Sequence, residues 1–328
     1  MKKDLFTASP VKANADSLNE ITKDTICQKL SSIIYQIGEQ ININFAQEIE
    51  KIRTIKTSII DPTLFYYYFR LKEAIQSEAL DQILDTISLL VQHTKVASRE
   101  PNTKYPIVSS VLEQEWEKEL FINKTRKDII SEFGIKNGFE VIRPVFLEEM
   151  TNQESNIKAA LEILEETDDI HKYVATNYLN AIKVFDGTIR GFSYQAAYGN
   201  IYIRIPQNNI DNTLYYLEHI VHECAHQYLF ALQIFDPVVL NDVSELYDAP
   251  IRIQKRPMNG IFHACFVLAR MVRCFRKAEH MLENSTYSEF INRIDNWFNS
   301  SYRTVNEYAK LTENGQRVFS SLKACAYD

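Results

Sequence analysis

The stretch Leu214-Tyr215-Tyr216-Leu217-Glu218-His219-Ile220-Val221-His222-Glu223-Cys224-Ala225-His226-Gln227-Tyr228-Leu229-Phe230-Ala231-Leu232 decides how the second half of this chain folds. Leu214, Leu217, Val221, Cys224, Ala225, Tyr228 and Leu232 recur at three- and four-residue steps, which predicts a helix with one buried stripe. Asp211 or Asn212 stands where an N-cap is needed. Inside this helix lies His222-Glu223-Cys224-Ala225-His226, an HExxH pattern. Residues four apart on a helix lie nearly above one another, so both imidazoles project from one side at metal-chelating separation. Glu223 is turned about 100° further round, within reach of the open side of a metal. The bland alternative is two ordinary helix histidines. The strand-then-helix context, and five of seven His falling between His219 and His280, weigh toward metal binding.

Just before the helix, Ile201, Ile203 and Ile205 alternate with Tyr202 and Arg204, which predicts a strand with one apolar and one polar face. After it, two residues compete to be a third metal ligand. Glu245 lies nineteen positions beyond His226, the spacing of gluzincin metallopeptidases. His263 opens a very apolar helix, Ile261 to Phe275, where a histidine alone would read as a satisfied core residue. Between them runs a Pro- and Gly-containing loop that concentrates Arg252, Lys255 and Arg256. Guanidinium groups bind carboxylates in bidentate fashion, so this cationic loop beside a metal helix suits an anionic ligand.

Upstream, helical periodicity is expected over Leu18–Ile60, Leu64–Thr94 and Ser109–Gly134, with a loose arm at residues 1–18. The Tyr66-Tyr67-Tyr68-Phe69 cluster reads as helix packing. Phe139 to Phe146, with its Pro, predicts an edge strand, and helices are expected at Asn156–Glu166 and Ile170–Val184. The expected fold class is mainly α with a small β-sheet (α+β). Residues 1–135 are expected to form a helical region, with peptide or partner binding as its expected role, and residues 136–328 are expected to form the metal-binding catalytic domain.

Composition bounds the function. The 328 residues are 45% apolar and 12% aromatic, enough for a substantial core, while Gly (8) and Pro (9) are too scarce for an all-β chain. A net charge of −7 with no basic tract leaves nucleic-acid binding without a footprint. No apolar run reaches membrane-spanning length. Five scattered Cys with no CxxC, and no signal peptide, read as reduced thiols of a cytoplasmic protein.

From Tyr198 to about Phe275 the chain resembles the HExxH-type peptide β-hydroxylases, iron(II)- and 2-oxoglutarate-dependent enzymes associated with ribosomally made, modified peptides. The resemblance is carried by Gly199 and Ile201, by Ile220-Val221-His222-Glu223-Cys224-Ala225-His226 with Leu229, Leu232, Asp236 and Pro237, and by Tyr247, Pro250, Arg252, Arg256, Pro257, Gly260 and His263. Ile251 stands where the family has Trp, and Gln254-Lys255 replace its Asp-Pro. The resemblance implies a zincin-like domain with His222, His226 and His263 as iron ligands. It also implies Arg252 and Arg256 as partners of the 2-oxoglutarate carboxylates, O2 as co-reactant and a precursor peptide as substrate. Glu223 would be a ligand, an acid/base group or an orienter. In zincin-like folds the strand before the metal helix can pair with an extended peptide, which makes Ile201–Ile205 the expected docking edge.

Three functions compete on this basis. One is the oxygenase. Another is a zinc peptidase in which Glu223 activates water and Glu245 completes the site. The third is a non-catalytic scaffold with a vestigial metal site. Dependence on 2-oxoglutarate and O2 separates the first from the second.

Overall fold

The computed structural model describes residues 5–53, 61–93, 104–121, 142–207, 212–251, 254–281 and 285–328. In chain order they form α1 (Lys12–Ile41), α2 (Ala46–Arg53), α3 (Pro62–Gln76), α4 (Leu80–His93), β1 (Ile107–Ser110), α5 (Glu115–Leu120) and β2 (Ile142–Pro144). Then come α6 (Leu147–Thr167), α7 (Asp169–Asn177), β3 (Ala181–Gly187), β4 (Gly191–Phe192) and β5 (Asn200–Arg204). The chain closes with α8 (Asn212–Gln233), β6 (Leu246–Tyr247), β7 (Arg256–Pro257), α9 (Met258–Ala278), α10 (Ser285–Tyr308) and α11 (Glu313–Tyr327). The protein is mainly helical with small sheets, an α+β chain as its composition predicts. It divides into two compact units built from non-consecutive segments. One comprises Met1–Leu18, Ser155–Asn177 and Asn208–Asp328, the other Asn19–Glu154 and Tyr178–Gln207. The expected boundary between residues 135 and 136 lies outside the described residues.

The unit holding Asn19–Glu154 and Tyr178–Gln207 carries the sheet. Its strand order is β1-β3-β5-β4, with β2 also on β3. Strands β1, β3 and β5 run parallel, whereas β2 and β4 are antiparallel to their neighbours. The segment expected as one helix from Ile170 to Val184 is instead α7 followed by β3. Ile182 and Val184 are β-branched, and β3 is buried almost throughout, as a central parallel strand requires. Lys183 is its buried polar residue; its ammonium reaches the Ser110 carbonyl at 3.1 Å and Glu113 at 3.0 Å. The helix expected from Ser109 is also corrected: Ser109 and Ser110 close β1, and helix begins only at Glu115. Residues 122–134 of that expectation lie outside the described residues.

The run from Leu18 breaks at Asn42, whose φ of 56° gives the left-handed turn between α1 and α2. Gly38 makes that turn possible, because a Cβ there would sit 2.6 Å from the Ile43 carbonyl oxygen. Tyr66, Tyr67 and Tyr68 are buried in α3, as packing predicts. The edge strand expected around Pro144 is present as β2.

Strand β5 departs from its expected two-faced character. All five residues are buried, and β3 and β4 flank it on both sides. Tyr202 stacks on Phe192 with ring centroids 4.7 Å apart. Arg204 is absorbed by the Gly187 and Thr188 carbonyls. Strand β4 pairs with Tyr202 and Ile203, so those two positions of the expected docking edge are already occupied.

In the other unit, α8 and α9 pack together, and α9 is also covered by α10 and α11. Helix α9 is apolar on most faces and correspondingly buried, matching the expected apolar helix. The N-terminal arm is not loose. Leu5 and Ala8 are fully buried; the Tyr228 hydroxyl donates to the Leu5 carbonyl at 3.2 Å, and the Ala8 N–H donates to Ser321 Oγ at 2.8 Å. Two small apolar side chains and their backbone groups thus complete the core around α8 and α11. Among the described residues no helix is long and apolar enough to cross a membrane.

Candidate metal centre

Helix α8 presents His222 and His226 one turn apart, with ring centroids 5.0 Å apart and planes inclined 61°. Glu223, Cys224 and Ala225 between them are buried, so the helix turns its apolar stripe inward and leaves both histidines half-exposed at the rim. The five described cysteines, Cys224 among them, are free and buried, which fits core packing.

Helix α9 supplies the partner. Its first turns carry His263, whose Nδ1 stands 3.2 Å from His226 Nδ1, the rings nearly parallel at 27°. Two imidazoles on one ion at about 2.1 Å each would hold their nitrogens roughly 3.0–3.4 Å apart, so the pair is spaced for chelation. His263 Nε2 donates to Gln233 Oε1 at 3.0 Å. Its Nδ1 is therefore the lone-pair nitrogen, and in the metal-free chain His226 Nδ1–H donates to it, so chelation through both Nδ1 atoms requires the His226 proton to move to Nε2. Gln233 is held in turn, since its amide nitrogen donates to Asn259 Oδ1 at 3.0 Å. Phe230 packs over both rings, with centroids 6.0 Å from His226 and 5.6 Å from His263. Burial pushes the His226 imidazole down to about 3, assisted by His263, and the His263 imidazole down to about 4. Both rings are neutral at neutral pH, the state a metal requires.

The other expected site residues divide. His222 does not close into a compact three-histidine set: the three rings do not together bring one nitrogen each within 4.8 Å of the others. Glu245 is not drawn to the histidines. Its Oε2 accepts from the Tyr247 hydroxyl at 2.7 Å and from Asn241 at 3.3 Å, and its Oε1 pairs with Lys310 at 3.3 Å. The hydrogen bonds from Tyr247, Asn241 and Lys310 hold its carboxyl below the ordinary value. Arg256 sits in β7, opposite Tyr247 in β6, and its aliphatic stem passes over Gly260, within 3.7 Å of where a Cβ would be. Burial lowers its guanidinium pKa. Lys255 is exposed and 3.6 Å from Asp248. Arg252 lies outside the described residues.

Gln233, Asn259 and Phe230 escape the motif. Their signal was nonetheless periodic: Phe230 and Gln233 lie four and seven positions beyond His226, and Asn259 lies four before His263, so each shares a helix face with a histidine.

A second cluster unites Asp168, His171 and Cys274, whose donor atoms all lie within 4.8 Å of one another. Asp168 Oδ1 accepts from the Ile170 N–H at 2.9 Å as the cap of α7, while Oδ2 meets His171 Nδ1 at 3.1 Å and Arg273 at 3.3 Å. Burial alone would raise the Asp168 carboxyl, but His171, Arg273 and the Ile170 N–H hold it far below the ordinary range. Burial raises the Cys274 thiol well above its ordinary value, and both Arg270 and Arg273 act on this cluster. A thiolate is costly there and two guanidinium groups repel a cation, so the cluster reads as a polar tie between α7 and α9.

Compared with known proteins, the chain matches no family model and no curated sequence.

Proposed function

We propose that this chain is an iron(II)- and 2-oxoglutarate-dependent oxygenase that hydroxylates the β-carbon of a residue in a peptide, with a zincin-like metal domain and a role in maturing ribosomally made peptides. The observation that carries the proposal is the approach of His263 Nδ1 to His226 Nδ1 at 3.2 Å. It gives the HExxH helix a histidine partner at the position that the resemblance to the peptide β-hydroxylases requires. The donor chemistry fits: two neutral imidazoles, one with its second nitrogen tied to an amide, suit a divalent transition metal.

In the proposal His226 and His263 bind the ion, and His222, one turn away on the same helix, joins them only after its ring turns toward the pair. Phe230 excludes water from one side of the pair. Arg256, half-buried in β7, orients a carboxylate of the cosubstrate, with Arg252 as its expected companion. Glu223, the buried carboxyl group of the motif, holds or releases a proton. When bound, iron(II) with 2-oxoglutarate and O2 supplies the oxidising chemistry that places oxygen in an aliphatic C–H bond. The zinc-peptidase alternative fits less well, because Glu245 is already engaged by Tyr247, Asn241 and Lys310.

The test is an anaerobic titration of metal-free protein with iron(II) and then 2-oxoglutarate. A visible charge-transfer band that needs both supports the oxygenase. Tight zinc binding with no effect of 2-oxoglutarate overturns it in favour of the peptidase.

A further inference from the structure

We propose that Gln233 is a positioning residue of this centre: braced by Asn259, it fixes His263 in the tautomer protonated on Nε2 and so turns the Nδ1 lone pair toward His226. The inference rests on the proposed metal site and adds to it which nitrogen of His263 serves as ligand.

The geometry is a relay of three contacts between two helix ends. Asn259 Oδ1 accepts from Gln233 Nε2 at 3.0 Å, which leaves Gln233 Oε1 as the acceptor facing His263. His263 Nε2 lies 3.0 Å from that oxygen and must carry the proton. The remaining nitrogen, Nδ1, is 3.2 Å from His226. A neutral imidazole has one protonated and one lone-pair nitrogen, so an acceptor fixed on one side selects the ligating atom on the other. Gln233 closes α8 and Asn259 opens α9, so the relay also sets the angle at which the His263 ring enters the site. A ring free to flip would present the lone pair in the wrong direction for part of the time. That fraction is lost directly from metal affinity.

The experiment uses the full chain, metal-free, as parent, Gln233→Leu and Gln233→Glu. Cobalt(II) affinity is measured by competition titration. Histidine tautomers are read by long-range proton–nitrogen correlation on protein labelled with nitrogen-15 histidine, with His263→Asn identifying the His263 signals. Thermal melting shows that each variant folds. The parent is expected to show His263 protonated on Nε2. Gln233→Leu should lose that bias and bind cobalt(II) about 10- to 100-fold more weakly, while Gln233→Glu, which keeps an acceptor, should retain both. A Gln233→Leu chain with unchanged tautomer and affinity within about twofold of the parent overturns the positioning role. A parent that binds no cobalt(II) yet keeps the Nε2 proton overturns the metal site itself, which separates the two failures.

Discussion

The Nδ1 atoms of His226 and His263 stand 3.2 Å apart although 37 positions separate them in the chain. Removing either ring should therefore cost far more metal affinity than removing Glu245. His226→Ala and His263→Ala are each expected to weaken cobalt(II) or zinc binding by at least about a hundredfold, and Glu245→Ala by less than about threefold. Competition titration of the three variants decides this. A large loss on removing Glu245 alone would transfer the third-ligand role to it.

Desolvated imidazoles make the metal-free chain acid-sensitive. Burial holds His226 at about 3 and His263 at about 4, and it lowers His171 as well. All three ionise at about 6.5 once the chain unfolds. Below that value the unfolded chain takes up protons that the folded chain refuses. Stability is accordingly level above about pH 6.5 and falls as pH drops toward 4, each imidazole contributing a slope of up to about 1.4 kcal/mol per pH unit. Urea unfolding at pH 7, 6 and 5 measures it. His226→Gln should flatten the slope by one proton, and an unchanged slope would contradict this account.

Gly315 is expected to be irreplaceable where Gly260 is not. A Cβ at Gly315 would lie 2.2 Å from the Val238 carbonyl oxygen, which is itself fixed by the Thr312 N–H at 3.1 Å. Val238 has a φ of 68°, a strained setting for a β-branched residue, and its N–H is held by Asp236 Oδ1 at 2.7 Å. Asp236 also accepts from Thr312 Oγ1 at 2.6 Å and from Asn314 at 2.9 Å. With the backbone so tied, Gly315→Ala should destabilise by about 1–3 kcal/mol. At Gly260 the nearest atom to a Cβ is 3.7 Å away, an ordinary contact, so Gly260→Ala should leave the melting temperature unchanged or slightly raised. Calorimetry on the two variants makes the comparison.

Lys183 of β3 and Glu117 of α5 are buried, with side-chain exposures of 7% and 0%, and lie 3.9 Å apart. Burial raises the Glu117 carboxyl pKa, and Lys183 pulls it back. Lys183→Met should cost about 3–5 kcal/mol because it leaves the buried Glu117 with the Leu112 N–H but without its countercharge, and adding Glu117→Gln should recover a substantial part. Denaturant unfolding of the single and double variants reads this. A double variant no better than the single one would show that Lys183 acts through Ser110, Glu113 or packing and not through Glu117.

The chain's local order was legible. Spacing placed α8 and α9, put His222 and His226 on one helix face, and separated the Tyr66–Tyr68 cluster as core. It erred where a short apolar run has two solutions. Ala181 to Phe185 fits a helix stripe as well as a strand, and only the partners β1 and β5 on either side make it a strand. Residues 5–8 look like a polar arm until α8 and α11 offer their hydrogen-bonding groups.

The candidate site divides in the same way. By itself the sequence determined that two imidazoles share one turn of a helix, because four residues of α-helix leave them no other arrangement. It could not choose between Glu245 and His263, since both lie at plausible distances along the chain. The packing of α8 on α9 sets His263 against His226 and gives its Nε2 proton to Gln233, while Asn241, Tyr247 and Lys310 take up Glu245, and the proposed ligand set is drawn from that arrangement. Helical periodicity is fixed by bonds and neighbours a few residues away. Which distant groups meet depends on how whole helices bury their apolar faces, and that is settled only when the chain is folded.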